Sequence, residues 1–470
     1  MPLGRTWQVV AGSAAIGLVV AAGAVAAAGP WESGQRTAER SYAAARDRHG
    51  PPPRAGAQHR GGGAGGAGRS GGAPRPVSAE PPAGPVLAAV DGSAPPAATA
   101  LKARLDRLMS VYGLGPTRTG TVVDVESSTV LYDRGGSTAS TPASTTKLAT
   151  AVAALGMLGP DARLTTSVVA TGKDGVVLVG GGDPTLELDQ LAKDTAAALK
   201  SRGETSVRLG YDTSLYTGPT LHPIGYNDNL APVTALMADE GRVDPATTGP
   251  APRSYDPAAA AAGLFAQLLG EHGITVRDVP EQRSGKGGSP LAVHRSAPLS
   301  DLVEQMLTDS DNDLAEALAR QVAHAAGQPA SFAGGAKAVR TALTRYGVPL
   351  PGASFHDGSG LDRADALAPR TLVRLLALAA SPKHPELQAV LAGIPVAAFT
   401  GTLSGRFTDS PGAGVVRAKT GTLTGTNTIA GTVVTPSGRL LAFCFMTQGA
   451  YDAAAAETAL DHLATAVAAS

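Results

Sequence analysis

A long stretch with little capacity to fold, residues 29–96, restricts where this chain can build a globular core. It contains Pro51-Pro52-Pro53 and Gly61-Gly62-Gly63 among scattered alanines and arginines. Such a composition buries too little apolar surface to offset the entropy lost when a chain becomes ordered. We therefore predict a disordered linker rich in Gly, Pro, Ala and Arg over residues 29–96, with ordered structure beginning near residue 97.

An apolar run precedes this linker. Val9 to Ala28 contains only apolar and small residues, follows Arg5, and ends in Ala26-Ala27-Ala28. Its length suits a helix that spans a bilayer, and its small-residue end suits cleavage by a signal peptidase. Residues 1–28 are predicted to be either a signal peptide or an N-terminal membrane anchor. Either interpretation places the rest of the chain outside the cytoplasm, at the cell surface or secreted, with membrane attachment through residues 9–28 if they are not cleaved.

Charge and composition argue against some classes of function. The chain has 39 basic and 39 acidic residues, and aromatic residues make up only 4% of it. A balanced charge and few aromatic side chains give no basis for nucleic acid as a partner. The single cysteine, Cys444, lies in the apolar run 440–446, which predicts a buried strand residue rather than a reactive thiol.

Hydrophobic periodicity after residue 97 predicts an α+β fold. Strand-like alternation occurs early and late in the chain, whereas the middle is mostly helical. Strands drawn from both chain ends predict an antiparallel sheet with helices on both faces. The predicted strands of this sheet are 119–126, 129–133, 415–419, 426–434 and 440–448.

Ser144-Thr145-Thr146-Lys147 is the first of three short polar motifs with catalytic potential. If Ser144 opens a helix, then Ser144 and Lys147 lie on one face and the amine can reach the hydroxyl. A serine needs a base to take its proton, and a lysine can serve when desolvation and a nearby cation favour its neutral form. The alternative is a helix cap followed by an exposed lysine.

The second motif, Ser310-Asp311-Asn312, interrupts a strongly helical stretch, 299–327. A polar break between two helices can present a hydroxyl and an amide into a cleft. The alternative is an ordinary helix cap at Ser310.

The third motif is Lys419-Thr420-Gly421, followed by Thr422, and we predict that it ends the strand 415–419. Gly421 would let a substrate backbone approach closely. Lys419 and the threonine hydroxyls could bind a carboxylate, and the strand edge could pair with an extended peptide. The alternative is an ordinary strand-to-turn segment.

The three motifs, in this order, resemble the signature of penicillin-binding proteins and serine β-lactamases. Other segments resemble the D-alanyl-D-alanine carboxypeptidase/endopeptidase family of class C low-molecular-mass penicillin-binding proteins, from about Ala97 to the C-terminus. These segments are 180–186 (GGGDPTL), 211–215 (YDTSL), 231–236 (APVTAL), 357–361 (DGSGL) and 399–403 (FTGTL).

This resemblance implies a penicillin-binding protein/serine β-lactamase-like transpeptidase fold with an inserted subdomain between the first two motifs. The catalytic penicillin-binding domain would comprise residues 97–163 and 286–470. The inserted subdomain, or subdomains, would comprise residues 164–285.

The resemblance also implies roles for the first two motifs. Ser144 would attack the carbonyl of the penultimate D-Ala while Lys147 takes the hydroxyl proton. Ser310, with Lys147, would relay a proton to the leaving amine. Asn312 would hold the substrate amide and help to place Lys147.

For the third motif, the resemblance implies that Lys419 and Thr420 bind the terminal carboxylate of the substrate, with Gly421 allowing its close approach. The N–H groups of Ser144 and Thr422 would form the oxyanion hole, and water would then hydrolyse the acyl-enzyme.

The function that follows is a serine-type D-Ala-D-Ala carboxypeptidase, with endopeptidase activity left open. Its partners would be peptidoglycan stem peptides ending in D-Ala-D-Ala, with β-lactams as inhibitors that acylate Ser144. No cofactor or metal is expected, since the sequence lacks a His-Glu-x-x-His motif. Two alternatives remain: a serine β-lactamase, for which no deacylating Glu is identified, and a non-catalytic penicillin-binding or wall-sensing protein.

Overall fold

A computed structural model describes residues 98–244 and 249–470 of the chain. The predictions of a signal or anchor at 1–28 and of a linker at 29–96 therefore lie outside the described residues. Across the two described ranges, no helix is both long enough and apolar enough to cross a membrane.

The strands of the described residues form two sheets. In chain order they are β1 (Thr117–Asp124), β2 (Val130–Arg134), β3 (Thr165–Thr171), β4 (Gly175–Val179), β5 (Ser206–Asp212), β6 (Thr275–Val276), β7 (Glu281–Gln282), β8 (Ser289–Arg295), β9 (Arg417–Leu423), β10 (Thr426–Val434) and β11 (Leu440–Gln448).

The α-helices cover both sheets. In chain order they are α1 (Ala98–Leu108), α2 (Lys147–Leu158), α3 (Asp189–Ser201), α4 (Pro257–Glu271), α5 (Leu299–Thr308), α6 (Asn312–Ala325), α7 (Phe332–Arg345), α8 (Pro369–Ala379), α9 (Gln388–Gly393) and α10 (Ala453–Ala468).

The first sheet is antiparallel throughout and joins the two ends of the described chain. Its strand order is β2-β1-β11-β10-β9. Residues of β1 pair with β11 from Thr117↔Gln448 to Asp124↔Leu441, so an early strand lies beside the last one. This arrangement brings β9, which carries the third motif, to one edge of the sheet.

Side-chain alternation along β11 places a separate core on each face of this sheet, because successive residues of a strand point to opposite sides. Phe443 and Phe445 pack with residues of α1 and α10. Cys444 and Met446 pack on the other face with residues of α2 and α8. The predicted antiparallel sheet with helices on both faces is confirmed, and Cys444 is a buried core residue whose pKa is raised by burial.

The second sheet lies in the chain between the first two motifs, as the predicted insertion does. Its order is β6-β5-β4-β3-β8, with β7 also paired to β5, and its strands are both parallel and antiparallel. Helices α3 and α4 share its apolar core. Strand β8 pairs with β3 and ends at Arg295, so the inserted sheet extends beyond residue 285, where the sequence placed its boundary.

Candidate active site

Ser144 lies in a tight helical turn that leads directly into α2. The turn covers Ala143–Thr146, and α2 begins at Lys147. Ala143 has a φ of 49°, a left-handed conformation that non-glycine residues seldom adopt. Such local strain persists only where the surrounding structure imposes it, and it is frequent at functional sites. The turn therefore presents the Ser144 hydroxyl at the N-terminal end of a buried helix.

Lys147 connects the first two motifs through its amine. Its Nζ lies 3.1 Å from the Ser144 Oγ, 2.7 Å from the Asn312 Oδ1 and 2.9 Å from the Ser359 carbonyl oxygen. The side chain is completely buried. Three acceptors therefore hold the amine beside the serine hydroxyl.

Burial also changes the acidity of this amine. Desolvation lowers the pKa of Lys147 to about 8, against the opposing effect of acidic neighbours led by Asp357 and Asp311. Lys419 is buried as well, and its pKa is lowered by desolvation and then by the charge of Lys147. The Nζ of Lys419 donates to the Thr420 carbonyl at 2.9 Å. The charge of Lys147 thus adds to the desolvation that favours the neutral form of Lys419.

The second motif occupies the break between α5 and α6. Ser310 has a φ of 60°, and Asp311 caps α6 by accepting a hydrogen bond from the Leu314 N–H. Asn312 is the first residue of α6. Its amide donates from Nδ2 to the Asn229 carbonyl at 2.9 Å while its Oδ1 accepts from Lys147. The amide orientation is therefore fixed from both ends.

The third motif lies within a strand, which corrects the prediction that it ends one. Strand β9 runs from Arg417 to Leu423, so all four motif residues are paired with β10. Pairing with β10 extends the strand past Lys419, because the ladder continues to Leu423↔Thr426. The motif is consequently part of a rigid sheet edge rather than of a turn.

Gly421 brings β9 against the turn that holds Ser144. A Cβ built at this position would lie 2.7 Å from the Pro142 carbonyl oxygen and 3.0 Å from the Ser144 N. The Thr428 hydroxyl of the neighbouring strand donates to the same Pro142 carbonyl at 2.8 Å. Only glycine permits this approach of the strand to the Ser144 backbone.

A cavity of about 970 Å³ opens over the three motifs. Its wall includes Ser144, Ser310, Asn312, Thr420 and Thr422 among the predicted site residues. The other three, Lys147, Lys419 and Gly421, are buried and do not line it. Of the predicted site residues, those that line the cavity therefore offer hydroxyls and an amide, and the two lysines lie behind them.

The sequence did not assign a role to several residues of the site. The Ser359 carbonyl accepts from Lys147, the Asn229 carbonyl accepts from Asn312, and the Thr402 hydroxyl lies 2.9 Å from the Thr420 hydroxyl. Ser359 and Thr402 belong to the segments 357–361 and 399–403, which the sequence singled out by resemblance alone. No sequence motif predicts a role for Asn229, because it contributes only its main-chain carbonyl.

The segment 180–186 does not line the cavity, but it contacts helix α6. The Gly182 N–H donates to the Ala235 carbonyl at 2.7 Å, and Gln321 of α6 donates to the Gly181 carbonyl at 2.8 Å. The Tyr216 hydroxyl lies 3.2 Å from the Gly182 carbonyl oxygen. This glycine run therefore joins the inserted sheet to the helix that carries the second motif.

A buried group of charges borders the second motif. The guanidinium of Arg253 lies 3.1 Å from Asp313 and 3.5 Å from Glu240. Burial raises the pKa of Asp313 to about 7, and Arg253 opposes this shift. Because Arg253 and Glu240 come from the inserted region, that region supplies part of the wall of the cavity.

Comparison with known proteins gives consistent matches across the described chain. The sequence matches the profile of the D-Ala-D-Ala carboxypeptidase 3 (S13) family over residues 101–254 and 246–469. It is 38% identical to carboxypeptidase DacB of Mycolicibacterium smegmatis, with 82% of this chain and 88% of that protein covered. It is 30% identical to the D-alanyl-D-alanine carboxypeptidase of Actinomadura sp. strain R39, with 78% and 84% covered.

A solved structure gives the same result for the fold. The crystal structure of penicillin binding protein 4 (dacB) from Haemophilus influenzae superposes with a TM-score of 0.66 at 25% identity. The match covers 77% of this chain and 98% of that one. The predicted penicillin-binding protein fold, with its insertion between the first two motifs, is confirmed.

Proposed function

This chain belongs to the D-Ala-D-Ala carboxypeptidase 3 (S13) family, and we propose that it is a serine carboxypeptidase that releases the terminal D-alanine from peptidoglycan stem peptides. The family and the names of its relatives support the reaction class. The serine mechanism is supported chiefly by one observation, the Lys147 Nζ 3.1 Å from the Ser144 Oγ in a fully buried position. This is the spacing that a general base needs to take a hydroxyl proton.

In the acylation step, the Ser144 Oγ attacks the carbonyl carbon of the penultimate D-Ala while its proton passes to the neutral Lys147. The C–N bond of the tetrahedral intermediate then breaks. The leaving D-alanine amine receives a proton from Lys147, with Ser310 as the relay at the cavity wall. The products are free D-alanine and an ester of Ser144.

The oxyanion of this intermediate needs donors that are already in place. The first N–H groups of a helical turn have no intrahelical partner, so the Ser144 N–H suits this role. We assign the second donor to the Thr422 N–H on β9, the strand that Gly421 brings against Ser144. Asn312, whose side chain lines the cavity, would hold the amide of the substrate.

The terminal carboxylate of the substrate would bind at the hydroxyl of Thr420, which lines the cavity. Lys419 is buried beside it and donates to the Thr420 carbonyl, so it would hold Thr420 in place rather than contact the carboxylate. Water then hydrolyses the Ser144 ester and restores the free enzyme.

β-Lactams combine a reactive amide with a carboxylate, so the same site would accept them in place of the peptide. The name of the Haemophilus influenzae relative as a penicillin binding protein supports this part of the proposal. We further propose that the protein works outside the cytoplasm, where its substrate lies, because Val9–Ala28 has the composition of a signal or an anchor.

Mass spectrometry of the full-length protein after incubation with benzylpenicillin tests the nucleophile. We expect an adduct mapped to Ser144 that is absent from Ser144→Ala. Release of D-alanine from a pentapeptide, measured in parallel, tests turnover. Rapid loss of penicillin without an adduct would instead support a β-lactamase, an adduct without D-alanine release would support a sensor, and neither adduct nor hydrolysis would refute the proposal.

A further inference from the structure

A buried carboxylate lies behind Lys147, outside the three motifs. Glu316 follows Asn312 by one turn of α6, and its side chain is completely buried. Its Oε1 accepts hydrogen bonds from the Gly358 N–H at 3.0 Å and from the Ser359 N–H at 2.9 Å. The carbonyl of the same Ser359 accepts from the Lys147 Nζ at 2.9 Å. Glu316 is thus linked to Lys147 through one stretch of main chain.

Asp357, which directly precedes Gly358, also binds this stretch of main chain. This carboxylate accepts from the Gly360 N–H at 2.6 Å and from the Asp362 N–H at 2.7 Å. His222, from the inserted region, lies 3.0 Å from it. Four main-chain N–H groups therefore converge on two buried carboxylates, which leaves the Ser359 carbonyl little freedom to turn away from Lys147.

The tautomer of His222 follows from the hydrogen bond that its Nδ1 accepts. The Ile224 N–H donates to the His222 Nδ1 at 3.2 Å, so Nδ1 is the acceptor and Nε2 carries the hydrogen that is donated to Asp357. His222, Glu316 and Asp357 lie close together. The two carboxylates hold the main chain of residues 358–362, and His222 donates to Asp357.

Burial of the Glu316 carboxylate carries a desolvation cost that its hydrogen bonds must offset. Its nearest cation is Arg320 on the same helix, 3.6 Å from Oε2, and that oxygen has no hydrogen-bond partner among the described residues. A buried ion pair with such incomplete hydrogen bonding adds little to stability by itself. The well-formed bonds of Glu316 are those to the chain that contacts Lys147.

We propose that Glu316 is a positioning residue for acylation: it fixes the main chain of Gly358 and Ser359 so that the Ser359 carbonyl aims the Lys147 amine at Ser144. The proposal rests on the proposed function, in which Lys147 is the base. It extends that function to a residue that touches neither the substrate nor the reacting atoms.

Charge gives this role a measurable signature. Lys147 faces the carboxylates of Asp311, Asp313 and Glu316 from α6, the carboxylate of Asp357 from its loop and the amine of Lys419 from β9. Arg320, His222 and Asp365 surround these acids. Removing the Glu316 charge removes one group that favours protonated Lys147, so the pH at which Lys147 loses its proton should fall.

The test compares Glu316→Ala, Glu316→Gln and Gln321→Ala in the full-length protein. Gln retains an acceptor for the two N–H groups, whereas Ala removes it. Gln321 is a matched control, since it lies on the same helix and bonds to Gly181 and Tyr216 instead of to residues 358–360. The measurements are the rate constant of Ser144 acylation by benzylpenicillin against pH and the titration of Lys147 by NMR with ¹³C-labelled lysine.

We expect the highest acylation rate to fall about 100-fold in Glu316→Ala and to recover most of that loss in Glu316→Gln. Both should titrate Lys147 at a lower pH than the wild type, and Gln321→Ala should not. If Glu316→Ala does not fold, the titration of Glu316→Gln decides alone. A folded Glu316→Ala that acylates at the wild-type rate, or an unchanged Lys147 titration in both variants, would overturn the inference. The NMR titration needs no turnover, so it separates this outcome from a failure of the proposed function.

Discussion

The Lys147 amine and the Ser144 hydroxyl, three residues apart in the chain, lie 3.1 Å apart across the helical turn that leads into α2. The lysine is completely buried, and the serine lines a cavity. The buried base Lys147 and the nucleophile Ser144, which lines the cavity, are therefore in contact before any substrate binds.

Acylation should depend on pH through Lys147. Burial lowers the pKa of its amine to about 8, so about a tenth of the molecules carry the neutral base at pH 7. We expect the acylation rate constant to rise with pH and to level off above about pH 8. Stopped-flow acylation by a chromogenic β-lactam measures this profile. Lys147→Ala should be slower by about 10²–10⁴-fold, and a rate independent of pH in the wild type would exclude Lys147 as the base.

Asn312→Asp should move this profile to higher pH. The Asn312 Oδ1 lies 2.7 Å from the Lys147 Nζ, and a carboxylate of the same shape would stabilise the protonated amine. Less neutral base would then be available at pH 7, so acylation should slow there and recover at alkaline pH. Asn227→Asp, whose side chain bonds to the Gly225 carbonyl and the Asn229 N–H and not to Lys147, serves as the control. Equal pH profiles for wild type and Asn312→Asp would contradict the contact.

Gly421→Ala should impair both folding stability and acylation. Its Cβ would press on the Pro142 carbonyl and on the Ser144 N, and overpacking of this kind costs about 1–3 kcal/mol. Displacement of the Ser144 turn should also slow acylation. Gly263→Ala in α4 is the matched control, because nothing lies within 4 Å of the added atom, and it should be slightly stabilising. Urea unfolding and acylation rates of the two variants provide the comparison.

Lys147→Met should change how stability depends on pH. The pKa of Lys147 is about 8 in the folded protein, against an ordinary value of 10.5 for an exposed lysine. Between these two pH values the folded state therefore binds fewer protons than the unfolded state. The free energy of unfolding should therefore rise with pH in this window, by roughly 3 kcal/mol in total from this residue. The lowered pKa of Lys419 also makes the free energy of unfolding rise with pH. Lys147→Met should therefore show a smaller rise than the wild type, not the absence of one. Urea unfolding at neutral and alkaline pH measures the difference, and an identical rise in the variant would contradict it.

Much of the architecture could be predicted from the sequence because it depends on periodicity. Alternation of apolar residues predicted the strands around Val122, Ile429 and Phe443, and these strands form the first sheet. Strands β5 and β8 of the second sheet were not predicted. Their sequences, SVRLGYD and SPLAVHR, interrupt the apolar alternation with Arg, Pro and His, and they are strands because they pair with β4 and β3.

In the site, too, some features could be predicted from the sequence and others depend on tertiary contacts. The motifs at Ser144, Ser310 and Lys419 could be recognised because each depends on residue types at short spacing. The Ser359 carbonyl and the Asn229 carbonyl could not be predicted, since every residue has a carbonyl and only folding selects which one meets Lys147 or Asn312.

By itself, the sequence determined the chemical groups available to this protein and their order along the chain, because these are properties of side chains and of local spacing. Tertiary structure alone decided that Lys147 and Lys419 are buried together and that Thr420 and Thr422 face the cavity. It also decided that Glu316 supports the base from behind. Desolvation and hydrogen bonding between residues far apart in the chain set the acidity and the aim of these groups, and such effects exist only once the chain has packed.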